Sequence, residues 1–169
     1  MPMLIAESHG NPPARPSPPK APGGSARARR METRYGALTI EREDMIQMPA
    51  GPLGFEERQH FALVPFPDPR FSRFRLFQCV DDADLSFIVV PYDPESGEYE
   101  AAELEEAAAA LGTTAEAVTL YLIVTVRSTA EGPILTCNLR APLVVDQPAR
   151  IARQCVLSGM RHSIRHPLA

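Results

Sequence analysis

The feature that most constrains the fold of this chain is an alternation of apolar and mixed side chains from residue 117 to residue 127. Successive side chains of an extended strand point to opposite faces. One face of this segment is entirely apolar and the other is mixed. The apolar face carries Val118, Leu120, Leu122, Val124 and Val126. The segment is therefore predicted to be a half-buried antiparallel strand.

Other segments show the same period between clusters of Gly, Pro and Asp, which predicts further strands. They are Tyr35–Ile40, Phe61–Pro65, Phe74–Val80, Ser86–Val90, Ile134–Leu139, Leu143–Val145 and Ile151–Leu157. Residues 103–111 differ, because they are rich in Glu and Ala and are followed by Gly112, which predicts a short helix. The expected fold is mainly β: a small, partly closed antiparallel β-barrel with one short helix at about residues 103–111.

The first thirty residues differ in composition from the rest of the chain. They contain seven of the 18 prolines and five basic residues against Glu7 alone. Such a segment buries too little apolar surface to offset the entropy of ordering it, so residues 1–30 are predicted to be a disordered, Pro-rich, basic leader. Because Met31 opens the patterned sequence, an alternative is that translation starts there and the leader is not translated. Residues 31–169 are expected to form a single domain with a basic C-terminal segment, 147–169.

Charge is divided unevenly along the chain. The formal net charge of the whole chain is −4 and that of residues 1–30 is +4, so residues 31–169 carry −8. Residues 81–131 hold twelve acids, with Arg127 as the one base. An acidic surface disfavours nucleic-acid phosphates and favours basic protein partners. A solvated face that keeps the protein in solution explains the same charge equally well.

Several classes of protein are not indicated. No apolar run is long enough to span a membrane, and Met3–Ala6 is too short for the core of a signal peptide, so a cytoplasmic protein is expected. The three cysteines do not suggest a disulfide framework or a paired zinc signature. Walker A, GxGxxG, GxSxG and HExxH motifs are all absent, which favours a binding protein without cofactor or metal over an enzyme.

Two alternatives stay open at this point. Cys155, His162 and His166 have a spacing that could gather three metal ligands on a helix, as in a metal-dependent enzyme, although Arg161 and Arg165 flank the histidines and would repel a cation. The basic leader or the basic C-terminal segment could also belong to a nucleic-acid-binding module, which the charge of −8 on the rest of the chain disfavours.

Four segments, in order, resemble the flagellar assembly factor FliW family. Pro49–Glu56 resembles its G-[ILV]-[PL]-G-[FL]-E turn, and Leu76–Val90, which contains Gln78, resembles its LQS-x-[ED]-[DN]-x-x-[LI]-x-F segment. Asn138–Asp146 is similar to its N-L-x-A-P-[IL]-V segment, and Gln154–Leu157 to its Q-[VI]-[VI]-L segment. The resemblance covers roughly residues 32–168.

The resemblance implies a non-enzymatic flagellar assembly factor that binds flagellin in the cytoplasm. When free, such a protein binds the translational regulator CsrA away from its RNA-binding face and antagonises it. Flagellin synthesis would thereby be coupled to flagellin secretion. Neither a cofactor nor direct contact with nucleic acid is implied, and the chain is expected to be a monomer.

Individual residues of these segments have separate predicted roles. Gly51 and Gly54 are expected to permit a tight turn with positive φ, and Phe55 to lie in the core. Asn138 is expected to satisfy backbone groups, and Ala141-Pro142 to lie at an edge or turn where a partner segment could add a strand. Gln78 and Gln154 are assigned to the structural motif with Gly51, Gly54 and Phe55. The predicted partner-binding residues are Asp81, Asp82, Asp84, Asn138, Ala141 and Pro142.

Overall fold

The structure, a computed structural model, describes residues 28–158 and 160–168. Within those residues the chain forms eleven strands, one α-helix and four short 3-10 helices. The strands are β1 (Arg29–Thr33), β2 (Gly36–Ile40), β3 (Met45–Gln47), β4 (His60–Pro65), β5 (Arg75–Cys79), β6 (Ser86–Pro91), β7 (Val118–Thr129), β8 (Gly132–Cys137), β9 (Leu143–Asp146), β10 (Ile151–Gln154) and β11 (His166–Pro167). The α-helix is α1 (Ala101–Ala109), and the 3-10 helices are Arg42–Asp44, Pro69–Phe71, Pro94–Ser96 and Ala115–Ala117.

Seven of the strands are joined by hydrogen bonds into a ring. Their order is β7, β6, β5, β4, β3, β10, β9, and β9 pairs back onto β7. Strand β8 continues from β7 outside the ring, and β11 pairs with β8. The prediction of a mainly β, partly closed sheet with one short α-helix is confirmed for the described residues. The sheet is not purely antiparallel, because β3 and β10 pair in parallel through Gln47 and Ile151.

The core follows from the alternation of side chains along the ring strands. One buried cluster takes side chains from all seven ring strands and therefore fills the inside of the ring. At its centre the rings of Phe61 and Phe77 stack with centroids 4.5 Å apart. The outer face is covered by the β1–β2 hairpin, through Met31, Leu38 and Ile40, and by α1 together with β8.

Several predicted boundaries move for identifiable reasons. Helix α1 begins two residues earlier than predicted, because Glu100 and Glu103 form a capping box at its first turn, and it ends at Ala109. Strand β10 ends at Gln154 and not at Leu157. The backbone beyond it bonds to the 138–142 turn instead, with the Cys155 N–H donating to the Pro142 carbonyl. Val126, predicted on the apolar face of β7, is 48% exposed because that end of the strand projects past the ring.

Strand β1 begins two residues before Met31, at which the patterned domain is predicted to start. Arg29 and Arg30 already belong to β1, where they pair with Ile40 and Thr39. The rest of the predicted leader, residues 1–27, lies outside the described residues. In the part of the chain that the structure describes, no helix is long and apolar enough to cross a membrane.

Candidate partner-binding surface

The turn between β3 and β4 depends on two glycines. Gly51 has φ +64° and Gly54 has φ +82°, which confirms the predicted tight turn with positive φ. A Cβ on Gly51 would lie 2.6 Å from the Cα of Glu56, whereas a Cβ on Gly54 would meet nothing within 4 Å. The turn closes when the Phe55 N–H donates to the Pro52 carbonyl over 2.8 Å. Gly51 is therefore required by both conformation and space, and Gly54 by conformation alone.

The same turn leaves two apolar side chains in solvent. Phe55 is 42% exposed and contacts Phe87 of β6, with ring centroids 5.9 Å apart. The prediction that Phe55 lies in the core is wrong, because the turn lies at the end of the ring and nothing packs on its outer side among the described residues. Leu53, in the middle of the turn, is 53% exposed. Sequence reasoning did not identify Leu53; the sole signal for it was an apolar residue between two turn glycines.

Gln154 connects this turn to the turn between β8 and β9. Its Oε1 accepts from the Leu53 N–H over 2.9 Å, and its Nε2 donates to the Ala141 carbonyl over 3.1 Å. Asn138 holds the second turn, because its Oδ1 accepts from the backbone N–H groups of Arg140 and Ala141. The expectation that Asn138 satisfies backbone groups is confirmed. Three of the four family segments therefore meet at one place.

Ala141 and Pro142 lie in a turn, as predicted, but their side chains are buried. Strand β9, which follows them, is paired on one side with β10 and on the other with β7. The turn therefore does not lead into an open edge to which a partner strand could be added. Whether Asn138, Ala141 and Pro142 take part in partner binding stays a prediction.

Asp81, Asp82 and Asp84 lie in the turn between β5 and β6. Beneath them, the fully buried Gln78 donates from Nε2 to the carbonyls of Cys79 and Asp82, and Asp82 Oδ1 accepts from the Asp84 N–H. Gln78 Oε1 has no hydrogen-bond partner in the described part of the chain. Gln78 thus acts as an internal anchor for the turn, and the aspartates stay at the surface.

Arg58 joins the acidic turn to the glycine turn. Its backbone N–H donates to the Phe55 carbonyl over 2.9 Å, and its Nη2 lies 3.3 Å from Asp82 Oδ2. Asp81 pairs with His60 at 2.9 Å. Asp84 is exposed and has no ion-pair partner among the described residues. We call the resulting patch the acidic–apolar surface and define it by Leu53, Phe55, Asp81, Asp82 and Asp84.

A second group of acids is neutralised by the basic C-terminal segment. Arg161 pairs with Glu100 at 2.8 Å and also with Glu103, and the buried His162 places Nε2 2.7 Å from Glu103 Oε1. These contacts, that of Arg161 first, lower the pKa of Glu103 to about 2 from its ordinary value of 4.5. His166 lies 3.8 Å from Glu98. The acids between residues 81 and 131 therefore differ in their surroundings: Glu98, Glu100 and Glu103 lie beside basic side chains of the C-terminal segment. Asp84 has no ion-pair partner among the described residues.

The three residues of the metal-site alternative have other partners. His162 and His166 face glutamates, and Cys155 Sγ lies 3.9 Å from the Ala107 carbonyl. Burial raises the pKa of the thiols of Cys137 and Cys155, so both are protonated at neutral pH. No group of three or more His, Cys, Asp or Glu side chains in residues 28–158 and 160–168 is arranged to hold a metal ion.

The geometry can be compared with known proteins. The family model described as "FliW protein" matches residues 30–168. The flagellar assembly factor FliW of Geotalea uraniireducens is 36% identical over 135 residues, which are 80% of this chain and 80% of that protein. The protein of the same name from Desulfitobacterium hafniense strain Y51 is 37% identical over 139 residues, covering 80% of this chain and 88% of the relative.

The fold agrees with a solved structure. The crystal structure of the flagellar assembly factor FliW superposes with a TM-score of 0.62 at 26% sequence identity, covering 83% of this chain and 96% of that one. The family match spans the ring, the glycine turn, the acidic turn and the C-terminal segment that pairs with α1. This chain therefore belongs to the FliW family of flagellar assembly factors.

Proposed function

We propose that this chain is a non-enzymatic flagellar assembly factor that binds flagellin in the cytoplasm and antagonises a CsrA-type translational regulator. Rising secretion of flagellin would free the chain to bind the regulator, and translation of flagellin would then resume. The observation that carries the proposal is the family match over residues 30–168, which includes every segment that builds the acidic–apolar surface.

The acidic–apolar surface is the proposed contact for the regulator. A CsrA-type protein presents a basic surface to RNA, and carboxylates docked beside such a surface lower its affinity for phosphate through their field. Because the Debye length at physiological ionic strength is about 8 Å, this effect requires direct docking. Leu53 and Phe55 supply apolar contact area next to the aspartates, as the centre of a protein–protein interface requires.

The turn at Asn138, Ala141 and Pro142 is proposed to support this surface from behind. The side chains of Ala141 and Pro142 are buried, so they contribute through their carbonyls: that of Ala141 accepts from Gln154, which holds the glycine turn, and that of Pro142 accepts from the Cys155 N–H. A partner would then depend on these residues through the position of Leu53, without touching them.

The test is release of RNA. Labelled RNA from the 5′ untranslated region of the flagellin transcript is bound to the cognate CsrA-type protein. The chain is then added with and without the cognate flagellin. We expect the chain to release the RNA and flagellin to reverse that release. The double variant Asp82→Asn/Asp84→Asn should release RNA about three- to tenfold less effectively, because it removes two negative charges. The turn should keep its shape, because an asparagine at position 82 still offers a side-chain oxygen to the backbone N–H of residue 84.

A matched control comes from the other end of β6. Asp93 and Glu95 also form a turn in which an aspartate oxygen accepts a backbone N–H two residues on. Asp93→Asn/Glu95→Gln removes the same charge there and should leave RNA release unchanged. If both double variants behave alike, the charge of the acidic turn does not carry the antagonism.

A further inference from the structure

An apolar groove lies on the outer face of the ring, where three connections meet. Tyr35 enters it from the β1–β2 turn, Phe71 and Phe74 from the β4–β5 connection, and Val126 and Leu135 from the β7–β8 hairpin. Its volume is about 380 Å³. Ile88 forms part of the floor, whereas its neighbour Phe87 faces the acidic–apolar surface, so the two surfaces use opposite faces of β6.

The groove is already formed and part of its lining is in solvent. Phe71 is 46% exposed and Val126 48% exposed. Phe66 holds the wall by edge-on contacts with Tyr35 at 5.5 Å and with Phe71 at 6.0 Å between ring centroids. Large exposed apolar patches on folded domains are often sites of contact with other molecules.

Arginines stand beside the aromatic walls. The guanidinium of Arg34 lies 5.0 Å from the centroid of Tyr35, and that of Arg73 lies 4.8 Å from the centroid of Phe74. Arg70 lies 5.8 Å from Phe71 and also pairs with Asp68. The groove is thus bordered by positive charge on a part of the chain, residues 31–169, whose formal charge is −8.

We propose that this groove docks an acidic amphipathic helix of a partner protein, which inserts apolar side chains between the aromatic walls and places a carboxylate beside Arg34. The lining consists of side chains, so it does not offer the row of backbone groups that an added strand needs, whereas a helix satisfies its own backbone. The site lies beyond the proposed contact for the CsrA-type regulator and does not depend on it.

The arginines beside the groove favour an acidic helix over the leader, a second copy of the chain and single-stranded RNA. Residues 1–27 carry three bases, Arg15, Lys20 and Arg27, against Glu7, so the leader would meet the bordering arginines with like charge. Two copies joined groove to groove would bring the same arginines together. Single-stranded RNA would need open aromatic faces for stacking, but Arg34 and Arg73 lie over the rings of Tyr35 and Phe74.

The experiment uses fluorescence anisotropy with the full chain. The probe is a labelled helical peptide of about fourteen residues, with leucines at i, i+3, i+4 and i+7 spacing and glutamates elsewhere. A second peptide has lysine in place of each glutamate. We expect saturable binding of the acidic peptide and binding about tenfold weaker for the lysine peptide.

Two variants on one hairpin provide a matched pair. Val126 and Ile134 are both 48% exposed, but Val126 lines the groove and Ile134 does not. Val126→Asp should weaken binding of the acidic peptide at least about tenfold, Ile134→Asp should leave it unchanged, and Arg34→Glu should weaken it about threefold or more. Circular dichroism checks that each variant keeps its fold.

The following results would overturn the proposal. Equal affinity for both peptides would show that the site does not select an acidic partner by charge. Equal loss of peptide binding in Val126→Asp and Ile134→Asp would show that the peptide does not bind in the groove. If deletion of residues 2–27 alone creates binding, the leader is the occupant. A dimer that Val126→Asp dissociates makes a second copy the occupant, and RNA binding that Val126→Asp abolishes makes the groove a nucleic-acid site.

Discussion

At the scale of single residues, the glycine turn shows how one missing side chain sets a surface. At Gly51 the backbone of Phe55 and Glu56 occupies the space where a Cβ would lie. That close approach directs Leu53 and Phe55 outward. The glycines of the motif G-P-L-G-F-E therefore set a turn that leaves Leu53 and Phe55 exposed. Apolar residues of these types are more often buried in the core.

Gly51→Ala is predicted to lower the free energy of unfolding by about 2–4 kcal/mol, because it adds a backbone clash to the cost of a left-handed conformation. Gly54→Ala is the control, with the same sign of φ but open space, and should cost about 1 kcal/mol. Urea denaturation measures both values. Equal losses in the two variants would show that the clash at Gly51 is relieved without cost.

At the scale of elements, Gln154 is the link between two turns that are far apart in sequence. Because Leu53 is exposed, its N–H has water as an alternative partner once Gln154 is removed. Gln154→Ala should therefore cost about 1–2 kcal/mol in unfolding free energy and should speed the hydrogen exchange of the Leu53 amide.

Gln154→Glu is the matched variant for that link. It keeps an oxygen for the Leu53 N–H and removes the donor to the Ala141 carbonyl, so protection of the Leu53 amide should be retained in NMR exchange measurements. An unchanged Leu53 exchange rate in Gln154→Ala would contradict the assigned role.

Prediction from sequence succeeds where the pattern is local and long. Strand β7 was predicted because its alternation extends over many residues, and α1 because Glu and Ala favour a helix whatever surrounds them. Strands β1, β3 and β11 were missed. Three and two residues are too few for β3 and β11 to show a period, and β1 lies across the predicted boundary of the leader. The pairing of β7 with β9 and the parallel pairing of β3 with β10 depend on distant registers that no local pattern encodes.

The candidate site was predictable in part for the same reason. Asp81, Asp82, Asp84 and Gln78 fall in one contiguous segment, so motif resemblance found them together. The bond from Gln154 to Leu53 and the pairing of Arg161 with Glu103 join residues that are distant in sequence. A count of charges along the chain therefore predicted one acidic stretch, whereas in the fold several of its acids pair with bases that are distant in sequence.

At the scale of the whole molecule, ion pairs help to fix the C-terminal segment to the domain, together with the pairing of β11 with β8. Glu103 accepts from Arg161 and His162 and also from the backbone N–H of Glu100. Its pKa is about 2 in the folded chain, below the ordinary value of 4.5. Because the folded pKa is depressed, this contribution to stability is full above about pH 4.5 and is lost as pH falls toward 2.

Glu103→Gln should remove that dependence. At neutral pH the variant should be less stable than the unsubstituted chain by the order of 1 kcal/mol, and the difference should shrink between about pH 4.5 and 2. Glu105→Gln, an exposed position on the same helix without an ion pair in the described residues, is the control. Unfolding curves at several pH values test this, and a difference between Glu103→Gln and the unsubstituted chain that is the same at every pH would contradict the assignment.

The most direct test of the central claim is isothermal titration of the full chain with its cognate flagellin and, separately, with any cognate CsrA-type regulator. We expect one-to-one, submicromolar binding to flagellin, and binding to the regulator that Asp82→Asn/Asp84→Asn weakens. If all of the proteins are folded and neither partner gives a binding isotherm, the chain does not carry out the proposed function.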